Sequence, residues 1–125
     1  MVKNLTITCL LGLLAVILGA FGTHSLQDTL TFQEIQSFQT AVYYQLFHVL
    51  VLLFLNSTPQ FSAKEKNRLS VLFFTGILFF SGSIYCSYLT SVSMKSIWFI
   101  TPLVGVFFIL GWFFMGYFLF KKRRK

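Results

Sequence analysis

The sequence predicts an all-α fold, an integral membrane four-helix bundle with both termini in the cytoplasm, and three observations lead to that prediction. Hydrophobic residues make up 56% of the 125 residues and charged residues only 10%, a composition far from that of soluble domains. Four apolar segments each approach the roughly 20 residues that a helix needs to cross a bilayer. The basic residues cluster on one side of these segments, as the positive-inside rule requires of a cytoplasmic side.

The four apolar segments are predicted to be the helices of a single domain. An isolated strand in lipid would leave its backbone groups without hydrogen-bond partners, so each segment must be helical. The predicted spans cover residues 5–24, 38–55, 69–89 and 97–120, and a basic tail follows at 121–125.

The second and third helices carry a start signal ahead of their apolar parts. Thr31 followed by Glu34, and Ser62 followed by Glu65, have the spacing of a capping box, in which the two side chains bond each other's backbone N–H groups. The second helix is therefore expected to begin near Phe32, and the third soon after Ser62.

The start of the fourth helix has two interpretations. Thr101 and Pro102 suit an N-cap and a first helical position, which would leave residues 97–100 as an interfacial segment. The alternative is a kinked fourth helix, and the sequence is compatible with both.

The orientation follows from the lysines and arginines of the short loops. Nine of the ten basic residues fall on one side of the predicted spans, and only Lys95 falls on the other. This bias predicts that both termini are cytoplasmic. The tail is interpreted as an anchor near anionic headgroups, with docking of an acidic partner as the alternative. The nine residues are Lys3, Lys64, Lys66, Arg68, Lys121, Lys122, Arg123, Arg124 and Lys125.

The second span carries an amide and an imidazole into the membrane. At about 100° per residue, Ala41, Gln45, His48 and Leu52 share one helix face, which is expected to point into the bundle. A rise of 1.5 Å per residue puts serines of the third span and a tryptophan of the fourth at a similar depth. We therefore predict an intramembrane polar layer whose members satisfy one another. Its members are Gln45, His48, Ser81, Ser83 and Trp112.

This polar layer has two readings. Polar groups in membrane helices commonly serve as interhelical hydrogen bonds, which is a structural role. Ionisable residues inside a membrane also mark ion, proton or ligand sites, and His48 can both donate and accept a hydrogen bond.

Small residues form stripes on which helices are expected to pack closely. Gly12, Ala15, Gly19 and Gly22 lie on one face of the first span. Small residues let helix backbones approach where lipid supplies no hydrophobic drive. The predicted helix-packing glycines are Gly12, Gly19, Gly22, Gly82 and Gly105.

The other histidine lies near the outer end of the first span. His24 is about 12 Å above His48 at 1.5 Å per residue, whereas a bis-histidine haem needs both imidazoles at one level. We interpret His24 and Tyr44 as polar residues of the outer end.

The spans lack the chemistry of an enzyme. No Asp, Glu, Lys or Arg falls inside a predicted span, and the sequence has no metal-ligand cluster, phosphate loop or nucleophile elbow. The net charge of +7 follows membrane topology, so a nucleic-acid partner is not expected. We predict no catalytic residue, no metal and no cofactor.

Four motifs carry a resemblance to a known family. They are "GAFGTHSL" (19–26), "YQLFHVL" (44–50), "LFFSGSIYC" (78–86) and "TPLVGVFFILGW" (101–112). Together they resemble the small four-span membrane protein family called domain of unknown function 423, which is related to eukaryotic transmembrane protein 256. The resemblance covers nearly the whole chain, keeps the order of the motifs and implies a bacterial inner-membrane protein without an established activity.

The resemblance also marks family-like positions and one departure from the family pattern. Val104 stands where the family usually has the first of two adjacent glycines after the Thr-Pro pair, so only Gly105 remains there. The family-like positions are Gly19, Gly22, His24, Tyr44, Gln45, His48, Ser81, Gly82, Pro102, Gly105 and Trp112.

Two classes of function remain. The first is a non-enzymatic interaction or accessory protein, which packs in the bilayer with itself or with a larger membrane complex. The second is a membrane protein that handles a small molecule or a proton through a buried site at Gln45 and His48.

Overall fold

The computed structural model describes residues 2–89 and 100–123, and every regular element in them is helical. Four stretches are long and apolar enough to cross a membrane, which confirms the all-α membrane fold. The third crossing consists of α3, a π-helical segment and α4. The elements are α1 (Val2–His24), α2 (Phe32–Ser57), α3 (Ala63–Gly76), the π segment (Ile77–Ser81), α4 (Gly82–Leu89) and α5 (Ile100–Arg123).

Both predicted capping boxes are present. The Thr31 hydroxyl accepts a hydrogen bond from the Glu34 N–H, and the Glu34 carboxylate accepts one from the Thr31 N–H. Ser62 and Glu65 make the same pair of bonds at the start of α3. Because the caps satisfy N–H groups that have no intrahelical acceptor, α2 begins well before its apolar part.

The start of the fourth membrane-crossing helix, α5, is compatible with only one of the two interpretations of the sequence. Ile100 and Thr101 are already helical, so of the two interpretations the one with Thr101 as the N-cap does not hold. The predicted start at residue 97 and the predicted outer lysine, Lys95, lie outside the described residues, as do the last two tail residues, Arg124 and Lys125.

The helices pack as two pairs joined through the middle of the bundle. α1 packs mainly against α2, α5 packs mainly against α3, and α2 contacts the whole third crossing. The start of α1, the loop after α2 and the end of α5 meet at one end of the bundle, which we call the basic end. There Asn4 bonds to Asn56 and Asn67, and Lys122 forms an ion pair with Glu65.

The small-residue stripe of α1 packs closely on α2. A methyl group at Gly12 or Gly19 would lie 3.4 or 3.3 Å from a valine of α2, and one at Gly22 would lie 2.6 Å from the Phe38 ring. Ala15 in the same stripe is fully buried. These three glycines therefore lie where α1 and α2 approach each other closely.

The prediction of close helix packing is wrong for the other two glycines. A methyl group at Gly82 or Gly105 would meet no atom within 4 Å among the residues that the structure describes. The close approach between α3 and α5 depends instead on Gly76, which faces the Phe108 ring, and on Gly111, which faces the Phe73 ring. Each of these glycines leaves room for a phenylalanine of the opposite helix, a pairing that single-helix patterns do not specify.

Candidate intramembrane polar site

The polar face of α2 points into the bundle. Gln45 is 2% exposed and His48 is 5% exposed, and Ala41 and Leu52 are fully buried. The four residues of the face predicted from the helical period are thus all buried. Their burial arises because α2 lies between α1 and the third crossing, so that its inner face has helices on both sides.

His48 uses both of its ring nitrogens. Its Nε2 accepts a hydrogen bond from the indole N–H of Trp112 at 3.1 Å, and its Nδ1 lies 2.8 Å from the backbone carbonyl of Tyr44. An indole can only donate and a carbonyl can only accept. His48 is therefore the neutral tautomer with its proton on Nδ1. Its hydrogen bond with Trp112 links α2 to α5.

Aromatic rings surround this imidazole. Phe108 stacks on it with the ring centroids 3.9 Å apart and the planes within 8° of each other. Phe73 and Phe47 lie with their centroids 5.6 and 5.5 Å away. Contacts on several sides hold the ring in one orientation, so the hydrogen bond to Trp112 is fixed by packing as well as by its own geometry.

Gln45 makes a second, separate connection. Its amide nitrogen donates to the carbonyl of Leu11 in α1 at 2.6 Å, and its amide oxygen accepts from the hydroxyl of Tyr85 in α4 at 2.7 Å. One side chain thereby joins three helices.

The predicted mutual network is therefore wrong in its connections. His48 pairs with Trp112 as expected, but Gln45 lies three residues away and its side chain is turned towards α1 and α4. Residues three apart lie only about 60° from each other around a helix, so both side chains are on the inner face, but Gln45 reaches α1 and α4 whereas His48 reaches α5.

Each of the two serines donates a hydrogen bond to a backbone carbonyl. Ser81 donates to the carbonyl of Ala41 in α2 at 2.8 Å, and Ser83 in α4 donates to the carbonyl of Phe80 in the π segment at 2.9 Å. Serine hydroxyls in helices commonly use nearby carbonyls in this way. Ser81 lies in the π segment, whose wider turn helps to direct it into the interface with α2.

The two residues assigned to the outer end differ in position. His24 is the last residue of α1 and is exposed, in agreement with a polar helix terminus. Tyr44 lies near the middle of α2, and its ring stacks on Phe80 with centroids 4.8 Å apart. Tyr44 is therefore far from either end of α2, so its placement at the outer end was wrong.

Two sets of polar residues were missed from the sequence. Tyr85 lies four residues after Ser81, a spacing that puts both on one helix face and could have signalled its role. At the basic end, Asn56 is fully buried, donates to the Ser70 hydroxyl at 3.0 Å, and accepts from Asn4 at 3.1 Å. The sequence signal for this second polar layer was that α1, α2 and α3 each carry an asparagine near the basic end, namely Asn4, Asn56 and Asn67.

Replacing Asn56 by alanine is expected to lower the free energy of unfolding by about 1 kcal/mol, because Ser70 and Asn4 each lose a partner. The measurement is unfolding in mixed micelles of mild detergent and sodium dodecyl sulfate. Asn67→Ala is the matched control, since Asn67 bonds to the same Asn4 but is exposed, and it should change stability much less. Equal effects of the two substitutions would contradict the importance of the buried layer.

A cleft of about 770 Å³ opens beside the pair of His48 and Trp112, between α2 and α5. Its walls include Tyr43 and Phe47 from α2 and Ile109 from α5, and all three are largely exposed. Gly105 also lines the cleft. The missing side chain at Gly105 thus contributes to an open space and not to helix packing.

The buried polar side chains of the described residues form their hydrogen bonds within the bundle. No buried side-chain nitrogen or oxygen in residues 2–89 and 100–123 lacks a hydrogen-bond partner. The same part of the chain holds no group of three His, Cys, Asp or Glu that could bind a metal ion. The hydrogen bonds of Gln45 and His48 hold neighbouring helices together. His48 also lines an aromatic cleft that a partner or ligand could enter.

The sequence model of a family described as "Protein of unknown function (DUF423)" matches residues 18–105. This range includes the end of α1, the whole of α2 and the Gln45 and His48 positions, and it ends at Gly105, ahead of Trp112. No solved structure matches the chain.

Three relatives show how far the similarity extends. A UPF0382 membrane protein of Staphylococcus aureus is 38% identical over 100 residues, which cover 80% of each chain. A UPF0382 membrane protein of Haemophilus influenzae is 34% identical over 97% of this chain and 96% of its own length. The UPF0382 inner membrane protein YgdD of Escherichia coli K12 is 35% identical over 91% of this chain and 86% of its own length.

Proposed function

The chain belongs to the DUF423 family of membrane proteins, and from that premise we propose that it is a non-enzymatic accessory protein of the bacterial inner membrane. In this role it packs through its lipid-facing aromatic surface against another membrane protein or a second copy of itself. The inner-membrane location is supported by the relative in Escherichia coli, which is named an inner membrane protein.

The observation that carries the proposal is the full use of the buried polar groups. Both nitrogens of His48 are bonded within the bundle, and so are both ends of the Gln45 amide. A general acid or base, or a proton carrier, needs a nitrogen that can reach its substrate. Protonation of Nε2 would set an N–H against the indole N–H of Trp112, so the pair supports a structural role and not proton transfer.

The membrane orientation is part of the proposal. The basic end carries Lys3, Lys64 and the end of α5 together, and the positive-inside rule assigns such an end to the cytoplasm. Both termini are then cytoplasmic, and the mouth of the cleft lies at the level of the membrane interior.

The surface offered to a partner is the face formed by α2 and α5 around the cleft. Large aromatic and aliphatic side chains there point away from the bundle, among them Tyr43, Phe47 and Ile109. Aromatic residues are favoured at protein interfaces because they bury a large area with few rotatable bonds. A surface that only contacts lipid would not need a cleft between α2 and α5.

The proposal is tested with a photo-crosslinking amino acid placed at Ile109 in cells that make the full chain. Ile109 is exposed and lines the cleft, and Val16 on α1 is a matched exposed apolar control away from it. We expect protein adducts of defined mass at Ile109, and adducts with lipid only at Val16. A dimer mass would identify a second copy, and a larger mass a different membrane protein.

Lipid adducts alone at both positions would overturn the accessory role. The second candidate function, handling of a small apolar molecule, is favoured by the size of the cleft, since ligand sites commonly measure about 300–1,000 Å³. It predicts that Ile109 forms an adduct with a non-lipid molecule of low mass and that a bulky Gly105→Phe variant, which should narrow the cleft, abolishes that adduct.

A further inference from the structure

A second groove lies at the basic end, between α3 and α5. It measures about 520 Å³ and is separate from the cleft beside His48. Its walls are apolar, and its polar residues are confined to the end nearest the start of α3. The walls include Val71, Leu72, Phe114 and Phe118, and the polar end is formed by Asn67 and Arg68.

The charges around this groove are strongly positive. Arg68 is exposed, and within residues 2–89 and 100–123 no hydrogen bond or ion pair joins it to another side chain. Lys121 lies one turn beyond Phe118 on α5, whereas Lys122 already pairs with Glu65 at 2.6 Å. A guanidinium at the end of an apolar groove thus remains available to an anion.

We propose that this groove binds an anionic phospholipid from the surrounding bilayer, with its phosphate on Arg68 and an acyl chain along Leu72 and Phe114. The guanidinium matches a phosphate through two parallel hydrogen bonds, and the apolar walls match an acyl chain. A free phosphate would leave those walls unused. A zwitterionic lipid would bring its cationic headgroup close to Lys121 and Arg123, so the site selects lipids with a net negative headgroup.

The test is native mass spectrometry of the purified full chain in mild detergent, titrated with dioleoyl phosphatidylglycerol or dioleoyl phosphatidylcholine. We expect the first lipid to bind more tightly than the second. Arg68→Gln should weaken binding of phosphatidylglycerol about fivefold, the effect of one basic residue, and should weaken the binding of phosphatidylcholine less, because the choline cation already offsets the charge of its phosphate. The matched control is Lys64→Gln, which removes the same charge from the first turn of α3 without touching the groove.

A second variant tests the apolar part without changing the charge. Val71 is exposed on the wall of the groove, so Val71→Trp should fill the groove, keep the fold and weaken the binding of both lipids. The proposal is overturned if the two lipids bind equally to the unmodified chain. It is also overturned if Arg68→Gln weakens phosphatidylglycerol binding no more than Lys64→Gln does, or if Val71→Trp binds both lipids as the unmodified chain does.

Discussion

Replacing Gly76 by alanine is expected to lower the free energy of unfolding by about 2 kcal/mol, within the range typical of overpacked interiors. The added methyl group would lie 2.5 Å from two carbon atoms of the Phe108 ring. Such a distance is far inside van der Waals contact, so either the ring or helix α5 must move.

Phe108 has little freedom to move away. It is buried, it stacks on the His48 ring at 3.9 Å, and its centroid is 5.6 Å from that of Phe80. Displacing it therefore shifts the imidazole that accepts from Trp112. We expect the loss of stability to be accompanied by a change in the fluorescence of Trp112, measured in a Trp98→Phe background.

The matched control is Gly82→Ala in the same membrane crossing. A methyl group there meets no described atom within 4 Å, and alanine is favoured over glycine inside a helix by up to about 1 kcal/mol. Gly82→Ala should be neutral or stabilising in mixed-micelle unfolding. If Gly76→Ala proved equally harmless, the close approach of α3 and α5 would be refuted.

Local rules predicted the elements of this fold because they depend on neighbours in sequence. The two capping boxes need only a hydroxyl and a carboxylate three residues apart, and both were found. The buried face of α2 follows from a period of 3.6 residues, so Gln45 and His48 could be assigned to the interior before any packing was known.

The hydrogen-bond partners of Gln45 and His48 depend on how the helices are arranged around α2. The helical period of one segment carries no information about that arrangement. Gln45 reaches Leu11 and Tyr85, and both contacts exist only because α1 and α4 lie on either side of α2. The same reason explains the glycines. Gly76 and Gly111 matter because a phenylalanine of the opposite helix faces each of them, whereas Gly82 and Gly105 face open space.

The second large effect is expected at His48. Replacing His48 by alanine should lower the free energy of unfolding by about 2–3 kcal/mol, because it removes a buried ring and leaves the indole N–H of Trp112 without an acceptor. His24→Ala is the control, since His24 is exposed at the end of α1, and it should have no measurable effect.

A double-mutant cycle with Trp112→Phe separates the hydrogen bond from the packing. Phenylalanine keeps an aromatic ring at this position but cannot donate a hydrogen bond. The loss of stability caused by Trp112→Phe should therefore fall to near zero when His48 has already been replaced by alanine. We expect a coupling energy of about 1 kcal/mol, at the upper part of the range for hydrogen bonds between membrane helices. Additive effects would mean that the indole and the imidazole do not depend on each other. If proton flux across vesicles were lost in His48→Ala while stability was unchanged, the structural role of this pair would be refuted in favour of proton transfer.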